Sequence, residues 1–100
     1  MKAHHAGTLL TLVEGVGDLH LKYYAKDGGI INLFIGTLSY AALEVILIEA
    51  LKTNDLAITN GYWDGLSNIL NTGIGIYAGE NLTTKQIAGL VLISGGLLLL

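Results

Sequence analysis

The sequence predicts an all-α protein, a single domain of four membrane-spanning helices. Three observations lead there. Hydrophobic residues make up 52% of the 100 residues and charged residues only 13%, about half the charged share of an ordinary soluble domain. Four apolar stretches, separated by short polar segments, approach the length needed to cross a bilayer. Glycine occurs 14 times and proline never. That many glycines would weaken soluble helices by up to about 1 kcal/mol each, whereas membrane helices use small residues to bring backbones together. The mean hydropathy of +0.61 points the same way. The composition also excludes whole classes. A chain this apolar is not disordered. The absence of cysteine removes disulfides, thiolate metal sites and a cysteine nucleophile. Five basic residues and a net charge of −3 argue against a nucleic-acid surface.

The first span covers residues 6–24, apolar from Ala6 to Leu21 except for Glu14, Asp18 and His20. The Gly28-Gly29 pair beyond it suits a helix stop and turn. With Glu14 inside its apolar part, the stretch does not read as a cleavable signal peptide. The second span, 30–51, carries Glu44 and Glu49 and is broken by Lys52-Thr53-Asn54-Asp55. The third, 56–78, contains Asp64 and is followed by Gly79-Glu80-Asn81. The fourth, 84–100, opens where Thr83 and Gln86 have capping-box spacing, and is uncharged from Ile87 onward. About 20 residues at 1.5 Å each cross the hydrocarbon core, so the second and third are long enough and the fourth is short. Gly61-x-x-x-Gly65 and Gly75-x-x-x-Gly79 have the spacing of close helix seams, and Gly89 and Gly96 lie seven apart on one face.

The acids inside these spans are the candidate site. A charged side chain near the bilayer centre costs on the order of 3 kcal/mol, so such acids face a cavity, a partner or water. Glu14 and Asp18 lie four apart on one helical face. Such a pair can hold a proton near neutral pH and release it when a cation arrives. Glu49, three residues before Lys52, reads as interfacial. Tyr62, Trp63 and Asp64 form a second constellation. An aromatic face with an acid beside it attracts an organic cation, while Trp and Tyr also serve as anchors at headgroup level. Tyr40 reads either as packing or as a hydroxyl partner for a carboxylate. His4 and His5 read as a solvated tail, and His20, two residues from Asp18, points elsewhere. No metal-ligand spacing, phosphate-binding loop or nucleophile elbow is present. The expectation is therefore no metal, no cofactor and no enzymatic activity.

The motifs resemble those of the small multidrug resistance family within the drug/metabolite transporter superfamily. Leu12-Val13-Glu14-Gly15-Val16-Gly17 followed by Leu21-Lys22-Tyr23 resembles that family's first span, in which a membrane glutamate precedes a Leu-Lys-Tyr/Phe-Ser ending. Tyr62-Trp63-Asp64-Gly65 is similar to its Ala-Ile-Trp-Ser-Gly segment, and Gly79-Glu80-Asn81-Leu82 to the loop before its last helix. Gly89-Leu90-Val91-Leu92-Ile93-Ser94-Gly95-Gly96 resembles its Gly-Leu-x-Leu-Ile-x-x-Gly dimer motif. The resemblance implies a dimeric four-helix bundle, usually antiparallel, that exchanges protons for small organic cations as a multi-pass protein (of the inner membrane, in a bacterium). Its implied partners are the cation substrate, protons, the lipid bilayer and a second copy of the chain. Glu14 would be the shared proton and cation carboxylate, and Trp63 a wall of the site. Gly89, Leu90, Leu92, Ile93 and Gly96 would form the dimer contact. Four departures mark this chain. Asn60 stands where the family has an aromatic residue, Asp64 replaces a small hydroxyl residue, Asp18 replaces an uncharged one, and the loop proline near Asp55 is missing. A site with added acid suits a compact or doubly charged cation, a guanidinium compound or a polyamine, better than a flat hydrophobic drug. The rival reading is a non-transporting structural or accessory subunit of a larger membrane assembly, with its acids paired across subunits.

Overall fold

A computed structural model describes all residues, Met1–Leu100. The chain is all-α: α1 (Ala3–Asp27), α2 (Ile30–Leu51), α3 (Leu56–Tyr77) and α4 (Thr84–Gly96), the last continued by a 3-10 turn over Leu97–Leu99. Each polar break in the sequence ends a helix, and the ends have local causes. Past α1, Gly28 takes φ 77° and ψ −151°, a region open essentially to glycine, and its N–H closes on the Tyr24 carbonyl at 2.8 Å. At the end of α3 the Glu80 N–H bonds the Gly75 carbonyl at 2.9 Å and the Gly79 N–H that of Ile76 at 3.0 Å. With Gly79 at φ 94°, this is a Schellman stop. The Gly75–Gly79 spacing thus serves a turn rather than the helix seam expected of it. The capping box at Thr83 forms as its spacing predicts: Gln86 N–H to Thr83 Oγ1 at 3.2 Å, Thr83 N–H to Gln86 Oε1 at 2.9 Å.

The helices lie side by side in the order α2–α1–α3–α4, with α2 and α3 barely touching. The extents, 40 × 35 × 14 Å, are those of a flattened row, the 35 Å width being what four helices about 9 Å apart require. Glycines bring the neighbours close. Gly7 lies against Tyr62 and the Trp63 backbone, Gly17 against Ser39 and Tyr40, and Leu97 and Leu100 fold over Gly65 and Gly61.

A single layer has almost no interior. Only 12 of 100 residues are buried, and the apolar ones are Ala6, Leu10, Leu43 and Ala50. Many large apolar side chains, Ile30, Phe34, Val45 and Leu92 among them, are more than half exposed. By length and composition α2 is apolar enough to cross a membrane, with mean hydropathy 1.9 over its best window. It alone reaches that standard: α1 and α3 carry too many polar groups, and Thr84–Leu99 is apolar but shorter.

Candidate functional site

Glu14 and Asp18, one turn apart on α1, are both half-buried on the side of α1 that meets α3. On α3 the matching pair is Ser67 and Asn71, also one turn apart. The Ser67 hydroxyl donates to the Glu14 carboxylate. The Asn71 amide donates to Ser67 Oγ at 3.1 Å and to Asp18 Oδ2 at 3.2 Å. From α2 the Tyr40 hydroxyl donates to the other oxygen of Asp18. The result is a continuous hydrogen-bonded file, Tyr40–Asp18–Asn71–Ser67–Glu14, drawn from three helices. Tyr40 is thus a hydroxyl partner of a carboxylate, on Asp18 rather than on its own-helix neighbour Glu44.

Trp63 lies close to Glu14 and one turn before Ser67. Its buried indole Nε1 is directed at the Glu14 carboxylate but falls short of a well-formed hydrogen bond. Its backbone carbonyl accepts a long bond of 3.4 Å from Thr11, whose hydroxyl is chiefly engaged with the Gly7 carbonyl at 2.7 Å. Asp64 is exposed, yet near enough for its charge to bear on Glu14. No basic group reaches these acids. The two ion pairs of the chain lie elsewhere, Lys22–Glu80 between α1 and the α3–α4 turn, and Lys52–Glu49 at 3.0 Å at the end of α2.

A polar groove of about 440 Å³ opens beside the file between α3 and α4. Asp64, Ser67, Asn68, Asn71, Thr72 and Glu80 supply its polar lining. Ser67 and Asn71 therefore belong both to the file and to the groove wall. A second cleft between the same helices, about 520 Å³, is almost wholly apolar and includes Ile69, Ile76, Val91 and Leu97.

The remaining candidates lie apart. Tyr62 packs on Gly7 and sits edge-on to His4 at 6.2 Å between ring centres. Asn60 is half-buried and makes no side-chain hydrogen bond. His20 turns to the Val16 carbonyl at 2.7 Å, away from the acids. On α4, Gly89 and Gly96 meet nothing within 4 Å of where a side chain would begin, and Leu92 and Ile93 are exposed. Leu90 instead faces α3, where its carbonyl accepts from Asn68 at 3.1 Å.

Ser67, Asn68 and Asn71 are the site residues that sequence reasoning missed. Their signal was present: with Asp64 they are polar at offsets of three, four and seven residues, which lie on one face of a helix. No protein-family model matches the chain, and no solved structure matches it.

Proposed function

We propose that this chain is a multi-pass integral membrane protein that exchanges protons for small organic cations as a homodimer, in the manner of the small multidrug resistance transporters it resembles. The observation that carries the reading is the file around Glu14, a carboxylate between helices, held by neutral donors and free of any basic partner. A carboxylate with no resident counter-charge binds one from outside, either a proton or a cation. The Ser67 hydroxyl suits both states, because it donates to the carboxylate and can turn to accept from the carboxylic acid. One proton leaves the Glu14 oxygen as one cation pairs with it, so the charge of the site is unchanged. The face of Trp63 offers the cation an aromatic wall. Membrane embedding fits the exposed apolar side chains, which a bilayer would cover. A homodimer fits the bare Gly89–Gly96 face of α4, with Leu92 and Ile93 beside it.

The test is proton release from purified protein titrated with guanidinium or tetramethylammonium at several pH values around neutrality. Wild-type protein is expected to release protons as it binds. Glu14→Gln, nearly isosteric and cheaper to bury, is expected to keep its helicity and lose both binding and release. Binding with unchanged pH dependence in that variant would overturn the assignment. A folded wild type that neither binds nor releases protons would favour the non-transporting subunit.

A further inference from the structure

We propose that the outer face of α2 binds a second, oppositely oriented copy of this chain, the Thr37 hydroxyl of each copy meeting the Glu44 carboxyl of the other. This interface is separate from the α4 contact and does not depend on transport.

Helix α2 ends the row, leaning on α1 and barely touching α3. Its buried residues, Gly36, Leu43 and Ala50, recur every seven along one side. A second stripe, stepping alternately by four and three residues, runs along another side from Ile30 to Leu51, and every member of it is exposed. Such spacing is that of a helix seam. Lipid can cover the apolar members of the stripe, so their exposure alone calls for no protein. Glu44 is different. It lies inside the one helix apolar enough to cross a membrane, and it makes no hydrogen bond or ion pair within its own chain. An acid so placed needs a polar partner.

The stripe reads alike from both ends. The midpoint of α2 falls between Tyr40 and Ala41, with Thr37 and Glu44 equally far on either side and Phe34 and Ile48 nearly so beyond them. Two copies packed antiparallel about Ala41 therefore keep their α2 helices at one depth. They bring Thr37 of each copy beside Glu44 of the other, within reach of a glutamate side chain. A parallel pair would instead set Glu44 against Glu44. The Thr37 hydroxyl donates to the Leu33 carbonyl at 2.8 Å. Its lone pairs stay open to a protonated carboxyl, and it can turn to donate to an ionised one. Ala41, between the two polar residues, adds no bulk to hold the helices apart. Each copy supplies both halves of the pair, so a two-fold contact makes it twice.

The chain has no cysteine, so cysteines placed singly report contacts between copies in oxidised membranes. Ala41→Cys is expected to link to itself faster than Ala42→Cys, which is exposed but off the stripe. Thr37→Cys co-expressed with Glu44→Cys is expected to link faster than either variant alone. Glu44→Leu leaves α2 more apolar and no less able to insert. Added to Ala41→Cys, it is expected to slow the link by about fivefold or more, two interhelical hydrogen bonds being lost. Glu44→Gln, which keeps a donor and an acceptor, should slow it less. An Ala41→Cys rate no higher than that of Ala42→Cys would overturn the proposal. So would self-links at Thr37→Cys and Glu44→Cys that outrun the mixed one, or a rate unmoved by Glu44→Leu. Proton release at Glu14 is read separately, so either result can fail without the other.

Discussion

Asn68 shows how much one side chain carries in a layer this thin. Helix α4 buries none of its own residues. Its hold on α3 includes the Asn68 amide, which donates to the Leu90 carbonyl at 3.1 Å and to Ser94 Oγ at 2.8 Å. Interhelical hydrogen bonds in membranes are worth roughly 0.6 to 2 kcal/mol each. Asn68→Leu is therefore expected to destabilise α4 by about 1–2 kcal/mol. Hydrogen exchange should quicken in the α4 amides and stay slow in α1. Equal protection of α4 in wild type and variant would refute the clamp. The acids that engage this polar face of α3 were readable because a carboxylate in an apolar stretch costs too much to be idle. Ser67, Asn68 and Asn71 showed a shared polar face but not their partners, because serine and asparagine in a helix can bond to their own backbone just as well. Thr72 does that, donating to the Asn68 carbonyl at 2.6 Å. Only the rotation of α3 against α1 decides which polar residue looks across.

At the scale of the helices, punctuation was more legible than pairing. The Gly28-Gly29 stop and the Thr83 capping box follow from local chemistry, and both form where their residues predict. Seams depend on which helix arrives opposite, and spacing cannot say. Gly75 and Gly79 had the seam spacing and make a turn. Gly7, in no such motif, sits at the α1–α3 crossing. The glycines of that crossing differ in what opposes them. A Cβ on Gly7 would stand 2.7 Å from the Tyr62 Cβ and 3.1 Å from the Trp63 backbone nitrogen, atoms that move only if the helices part. A Cβ on Gly15 would stand 2.7 Å from Leu70 Cδ2, the tip of a side chain that can swing away. Gly7→Ala is expected to cost about 1–3 kcal/mol, as overpacking does, and Gly15→Ala clearly less. Thermal melts of the two variants in the same detergent check the order, and an equal or reversed cost would contradict it.

The ends of the whole molecule are marked by contacts far apart in sequence. The Met1 carbonyl accepts from the Asn54 amide at 2.7 Å, which puts the N-terminus and the α2–α3 loop at one end. Lys22 meets Glu80 at the other. Counting lysines by end gives Lys2 and Lys52 against Lys22, Lys26 and Lys85. The positive-inside rule orients a chain by an excess of lysine and arginine, and here the excess is a single lysine. If all four helices span, insertion in both directions is expected, and oppositely inserted copies could pair through the bare α4 face. A cysteine at exposed Thr53, labelled in intact cells with a membrane-impermeant reagent, is expected to react in about half the molecules. One added lysine at the N-terminus should shift that fraction strongly. Labelling of all or none in the unmodified background would exclude dual insertion.

Because the helices form a row whose spatial order differs from their order in the chain, the molecule resists pulling unequally at its two termini. Tension on Leu100 meets α4 first, an outer member with a neighbour on one side only. Tension on Met1 meets α1 first, an inner member gripped by α2 and α3 at once. From the first terminus the row unzips helix by helix. From the second it must give up two contacts in the same event, so the N-terminal end is the mechanically stronger handle.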